Sequence, residues 1–283
     1  MRNQLFFLLG LFVFCCFLPS AYAQSVAVLV PAQLRPYLEV VDGIKQFVSK
    51  PTVFFLNKNR SYVTYRLQKQ EWDVVIALGS KSVALLKQIK VKAKFLFYSL
   101  VVYPEEVKEA DFMCGVYLAV PPKTILQVIS SKFPQLKTIL IPVSSQESKN
   151  YALQIQKLAP VFKVKILVLE LEKKGLLDPL EHFWPVFDGL LFVPDPIFSS
   201  TEIASFMLNK AILHKKAVIG YNKFFLENGA LFCFIPDFKQ TGEKTGRLIQ
   251  TALHNKECTS VPASYELKVN ANVLKYLNQP KQD

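Results

Sequence analysis

The chain has 283 residues, 51% of them apolar, and a formal net charge of +12. That much apolar content lets a chain of this length bury a substantial core and argues against disorder. Its lysines are spread along the whole length rather than gathered into a basic run with interleaved aromatics, so no nucleic-acid partner is expected and the charge is read as a solvated basic surface.

In chain order, the first feature is a positive residue, Arg2, then an apolar run from Leu5 to Leu18, a break at Pro19-Ser20, and Ala21-Tyr22-Ala23 before Gln24. This is the anatomy of a secretory signal peptide over residues 1–23, and its run is shorter than the ~20 residues a spanning helix needs. Cys15 and Cys16 fall inside the run and follow Phe14, so a lipid-attachment site is not expected. Beyond it stand Cys114, Cys233 and Cys258. Their odd number allows one bridge in an oxidising compartment without saying which pair forms it, and none has metal-ligand spacing. Cys114 and Cys233 lie in apolar strand-like runs, which reads as buried thiols.

The remainder alternates strands and helices. Apolar runs at Ser25–Val30, Thr52–Leu56, Asp73–Leu78 and Lys94–Ser99 read as buried strands. Between them, Leu34–Val48 has helical periodicity with Leu38, Val41, Ile44 and Phe47 on one face. Arg60–Gln70 is a polar helix, and a helix runs to Leu86 after Gly79, with Ser80 as its N-cap. The rhythm restarts after Tyr117. Strands are expected at Lys137–Pro142, Lys163–Leu169, Gly189–Val193, Ala217–Tyr221 and Leu231–Ile235. Helices are expected from Pro121 or Pro122 to Phe133, over Ser145–Ala159, near Asp178–Trp184, over Ser199–His214, and at Phe224–Asn228. A long helix over Lys239–His254, a strand at Tyr265–Val269 and a helix at Val273–Leu277 complete the chain. Such alternation predicts an α/β fold of parallel sheets with helices on both faces, here in two successive units. No linker separates them, so the division falls at a close hinge near Val116–Val120 and Phe234–Asp237. The expected lobes are 24–117 together with 236–283, and 118–235.

Catalytic signatures are missing. No phosphate-binding loop, dinucleotide fingerprint, H-E-x-x-H, C-x-x-C or G-x-S-x-G occurs. His182, His214 and His254 sit among polar neighbours, as surface histidines do. The chain is therefore expected not to be an enzyme and to need no cofactor or metal. In open parallel sheets ligands bind beyond the carboxyl ends of the strands. That rule nominates Arg35 and Tyr37, the Gly79-Ser80-Lys81 turn, Ser99 and Tyr103, Ser144 and Ser145, Asp195, and Tyr221-Asn222. The Gly79-Ser80 turn either receives an acidic group at a helix N-terminus or only caps the helix. Asp195 either meets a ligand amine or hydroxyl or serves as a turn residue before Pro196. Tyr37, Tyr117 and Tyr221 either wall an apolar cleft or pack half-buried. Positive charge at Lys81 and Arg35 favours an acidic solute.

Three segments carry a resemblance: DVVIALGSKSVALLK, CGVYLAVPPKTILQVISSKFPQLKTILIPVSSQES, and the stretch from Asp188 to Leu253 with its F-V-P-D-P, N-G-A-L and T-G-x-x-T-G elements. With the tail ELKVNANVLKYLN, the chain resembles the ABC-transporter substrate-binding proteins of the tryptophan/tyrosine-receptor type. The resemblance implies a type I periplasmic-binding-protein fold: two Rossmann-like lobes, crossover strands as a hinge, and a ligand in the cleft. It implies that Gly79-Ser80 holds a ligand carboxylate, with Ser99, Ser144 and Ser145 at comparable cleft positions. Val193-Pro194-Asp195-Pro196 departs from the P-T-D-N of amino-acid-binding members, whose aspartate falls one place later, so the resemblance does not carry the amine contact, and with it an amino-acid ligand, over to Asp195. The expected protein is a monomeric periplasmic receptor that captures a small organic solute and docks on the membrane permease of an ABC transporter. A receptor of the same fold that signals to a membrane sensor is the alternative.

Overall fold

The computed structural model describes residues 25–107, 113–172, 183–255 and 259–277. These form two six-stranded, predominantly parallel sheets with flanking helices, a two-lobed α/β architecture. Among the described residues no helix is long and apolar enough to cross a membrane.

The first sheet has the order β11-β5-β4-β3-β1-β2. Its strands are β1 (Val26–Val30), β2 (Thr52–Phe55), β3 (Trp72–Leu78), β4 (Ala93–Val101), β5 (Met113–Tyr117) and β11 (Val261–Pro262). Val26–Val30 is buried throughout, as a strand covered on both faces requires. Helices α1 (Arg35–Ile44), α2 (Arg60–Lys69) and α3 (Gly79–Gln88) connect its first four strands. The second sheet runs β12-β10-β9-β8-β6-β7. It comprises β6 (Thr138–Val143), β7 (Lys165–Glu170), β8 (Gly189–Leu191), β9 (Ala217–Gly220), β10 (Phe232–Pro236) and β12 (Tyr265–Val269). Around it lie α4 (Pro122–Lys132), α5 (Gln146–Leu158), α6 (Thr201–Leu213) and the short α7 (Lys223–Glu227). The pairings are parallel except β10 with β12.

The end of the chain divides between the lobes. Helix α8 (Phe238–Asn255) and β11 belong with the first sheet, whereas β12 pairs antiparallel with β10 of the second. Helix α9 (Ala271–Leu277) then packs Val273, Leu274 and Leu277 on the second lobe's core. The expectation that everything after Pro236 lies in the first lobe is thus corrected at Tyr265. A second return crossing gives the Tyr265–Val269 strand the open edge of β10 to pair with.

Helix α8 lies directly on α1. A Cβ on Gly242 would come within 2.1 Å of the Val40 carbonyl oxygen, and one on Gly43 within 2.3 Å of the Lys239 oxygen. Only glycine permits this backbone approach. Thr241 and Thr245 on the same face are fully buried, each returning its hydroxyl to a carbonyl one turn back. The T-G-x-x-T-G element is therefore a helix-packing face. The contact also turns α1: Val40, Val41 and Ile44 are buried, while Leu38, expected on the inner face, stands 39% exposed.

Some local expectations shift. Strand β11 was not foreseen, and β5 was expected only as the strand-like run around Cys114. The helix expected near Asp178–Trp184 lies largely outside the described residues, and Trp184–Val186 forms a 3-10 turn. Helix α3 begins at Gly79 itself, whose φ of +72° follows the extended Leu78, and Ser80 does not cap it. Cys114 is disulfide-bonded rather than a thiol, and Cys233 is the free, buried cysteine.

Among the described residues three segments link the lobes: Leu118–Pro121, the step from β10 into α8, and Ala263–Ser264 between β11 and β12. They are stitched to one another. Ala263 N–H donates to the Tyr117 carbonyl at 2.7 Å, and Asp237 N–H to the Ser264 carbonyl at 2.9 Å. Val102 and Val101 accept from Ala119 and Leu118 at 2.9 and 2.8 Å.

Candidate functional site

A cavity of about 550 Å³ lies against these crossings. That volume is in the range of pockets that hold small organic molecules. Its walls come from Val102, Leu118 and Val120, from Phe234, Ile235, Pro236 and Phe238, and from Ala263, Ser264 and Tyr265. The ends of β8 and β9 supply Leu191–Pro194 and Gly220–Phe224, helices α4 and α5 supply Ile125 and Tyr151, and α1 supplies Arg35, Pro36 and Glu39 at the mouth. The walls are overwhelmingly apolar and aromatic. Both lobes and the hinge contribute, so an occupant contacts all three at once.

The sequence-nominated residues divide into groups. Tyr221, with Asn222 and Arg35, does line this cavity. The Tyr221 ring rests on Phe225 with centroids 5.1 Å apart. Burial, with the nearby Asp195 charge, pushes its phenol up to about 12, so it remains a neutral hydroxyl.

Ser144, Ser145 and Asp195 come together, but with one another. The Asp195 carboxylate is 6% exposed and accepts five hydrogen bonds. The Ser144 and Ser145 N–H groups donate to Oδ2 at 2.7 and 3.1 Å, and Ile197 N–H donates to Oδ1 at 2.9 Å. The hydroxyls of Ser144 and Ser148 supply the other two. A carboxylate offers about four lone-pair sites, so none is left for a ligand amine. Burial raises the Asp195 pKa, but the bonds from Ser144, Ser148 and the backbone outweigh it and hold the acid below its ordinary value. The side chain is the chain's own anion at the N-terminus of α5, where backbone N–H groups and helix dipole favour negative charge.

The Gly79-Ser80 turn is likewise engaged. Ser80 Oγ donates to Glu106 Oε2 at 2.6 Å, and Tyr103 N–H donates to the other Glu106 oxygen at 3.0 Å. Tyr37 leans on Gly79, where a Cβ would meet its hydroxyl at 2.9 Å, and burial raises its phenol pKa. Lys81 is exposed on α3. None of these four lines the cavity. Ser99 is not a cleft residue at all: it is fully buried and its hydroxyl donates to Thr245 Oγ1 at 3.0 Å, the Thr245 proton being given to the Thr241 carbonyl, which joins β4 to α8. Tyr117 is half-buried at the first crossing, packed between cores of both lobes, with its phenol pKa raised by burial.

Tyr103, at the end of β4, reaches across to the second lobe. Its hydroxyl donates to the Pro194 carbonyl at 2.5 Å, and its ring lies 5.1 Å from that of Tyr151. The walls Phe192, Val193, Phe234 and Ile235 escaped the sequence reading because strand-end residues look like core in a one-dimensional pattern. Among the described residues no group of three or more His, Cys, Asp or Glu side chains is placed to hold a metal ion.

No protein-family model matches the chain, and no curated protein is similar to it in sequence. Solved structures are similar in fold. The ligand-free, open form of a substrate binding protein with adhesive properties from Clostridium difficile superposes with a TM-score of 0.69 at 14% identity, over 92% of this chain and 97% of that one. An ABC domain in complex with L-Trp from Streptococcus pneumonia gives 0.59 at 15% identity, over 89% and 94%. A LacI family transcriptional regulator from Bifidobacterium animalis gives 0.52 at 9% identity, over 86% and 95%. The chain therefore shares the type I periplasmic-binding-protein fold, which serves substrate-binding proteins and LacI-type regulators alike.

Proposed function

We propose that this chain is a solute receptor: it captures a small organic molecule in the cavity between its lobes, closes about the hinge, and presents the closed form to a membrane permease of an ABC-type uptake system. The observation that carries this reading is the position of the cavity, whose walls come from both lobes and from the segments that link them. A ligand there gains contacts by closure, which is how a binding event becomes a change of shape. The fold likeness to substrate-binding proteins, one of them in complex with L-Trp, supports it. Export to the periplasm is part of the proposal. The signal-like N-terminus supports it, and so does the disulfide at Cys114, since such bonds persist in oxidising compartments. Binding without catalysis, by a monomer, completes the reading.

The test is calorimetric titration against a library of amino acids, organic acids, sugars and bases, with small-angle scattering on each mixture. One or more solutes that bind with a fall in the radius of gyration support the proposal. A library that yields neither binding nor compaction contradicts it.

A further inference from the structure

The polar groups around the cavity narrow the chemistry of its occupant. This step rests on the solute-receptor reading. Among the described lining residues the only acid is Glu39, and it is already bound to Arg35, whose Nε lies 2.6 Å from Glu39 Oε1. Asp195, next to the lining Pro194, is saturated by its five donors, and Asp237, between the lining Pro236 and Phe238, does not itself line the cavity and accepts from Gln240 N–H. A ligand ammonium would therefore find no open anionic partner, and burying it unpaired is costly.

Donors, by contrast, are several: Ser264 and Tyr265 also line the cavity, and the densest run lies at one place. The three consecutive residues after β9, Tyr221, Asn222 and Lys223, all line the cavity. Asn222 Oδ1 accepts from Phe225 N–H at 3.3 Å, which fixes the amide and leaves its Nδ2 as a donor. Lys223 is exposed, and among the described residues its ammonium makes neither hydrogen bond nor ion pair. The Tyr221 hydroxyl likewise has no partner among the described residues. A run of donors on the rim, without an unpaired acid to answer it, suits an anionic head group. The walls behind it, Phe192, Phe234 and Tyr265 among them, suit an apolar body.

We infer that the cavity takes an apolar monocarboxylate without an amine, its carboxylate held by Asn222 and Lys223 and its aryl or alkyl body against the aromatic wall. The test is calorimetric titration with 3-phenylpropionate and octanoate, with 3-phenylpropanol and L-phenylalanine as the uncharged and amine-bearing comparisons. At least one carboxylate should bind, with the alcohol and the amino acid about tenfold weaker or more. Lys223→Met, at an exposed position and checked for an unchanged unfolding transition, should weaken the carboxylate about five- to tenfold and leave the alcohol unchanged. The two carboxylates separate an aryl from an alkyl preference. L-phenylalanine binding as tightly as 3-phenylpropionate overturns the inference, as does indifference to Lys223→Met. Silence from all four probes also overturns it. If a different solute from the library still binds and compacts the protein, only the ligand class has failed. If none does, the receptor reading has failed with it.

Discussion

Ser144 and Asp195 are joined twice, through the Ser144 backbone N–H at 2.7 Å from Oδ2 and through its hydroxyl to Oδ1. The pair ties the loop after β8 to the start of α5, and it shows the chain satisfying with its own carboxylate a helix terminus that the sequence offers to a ligand. Removing that carboxylate leaves buried donors without a partner. Asp195→Ala should cost about 2–4 kcal/mol in urea denaturation at neutral pH. Because the folded acid is held below its ordinary value, its contribution is present above about pH 4 and fades as pH falls through the folded value. The loss of stability between pH 5 and pH 2 should therefore be shallower in Asp195→Asn than in the parent. Identical acid profiles would show that the carboxylate is not held as described.

Tyr103 couples the lobes through its hydroxyl on the Pro194 carbonyl. Tyr103→Phe keeps the ring packing against Tyr151 and deletes the bond. A loss of about 1–2 kcal/mol follows, with a wider spread of lobe angles in scattering profiles. An unchanged midpoint with unchanged scattering would mean that the contact does not restrain the hinge.

The α1–α8 contact admits no side chain at Gly242. Gly242→Ala should lower stability by about 2–3 kcal/mol by forcing the helices apart, even though alanine is the better helix former. If thermal unfolding instead rises with the substitution, the close approach is not present in solution.

The two described cysteines should behave oppositely. Burial pushes the Cys233 thiol up to about 12, and a buried, protonated thiol reacts slowly. Peptide mapping after alkylation should find Cys233 modified only in denaturant. Reduction of the Cys114 disulfide should lower stability by about 2–4 kcal/mol. Rapid labelling of Cys233 in the native protein, or insensitivity to reductant, would contradict this pair of expectations.

The alternation of apolar runs made both sheets legible, since buried parallel strands such as Val26–Val30 are continuous in sequence. What stayed hidden was long-range. Val261–Pro262 is too short for a period, and Tyr265–Val269 reads as a strand without saying which sheet it joins. The site was legible only in part. Tyr221, Asn222 and Arg35 were found by the strand-end rule, whereas Ser99 obeys the same rule and points into the lobe toward Thr245. The engagement of Ser80 by Glu106 and of Ser144 by Asp195 depends on partners 26 and 51 residues away, which no local pattern reports.

Filling the interlobe cavity separates it from any other position for the proposed solute site. Ile235 lines the cavity from β10. Thermal unfolding of the parent and of Ile235→Trp across one solute library should find a solute that raises the parent midpoint by several degrees and leaves the variant's unmoved. A solute that stabilises both proteins equally, with the variant folded as shown by its own cooperative transition, would place the binding site elsewhere and contradict the account.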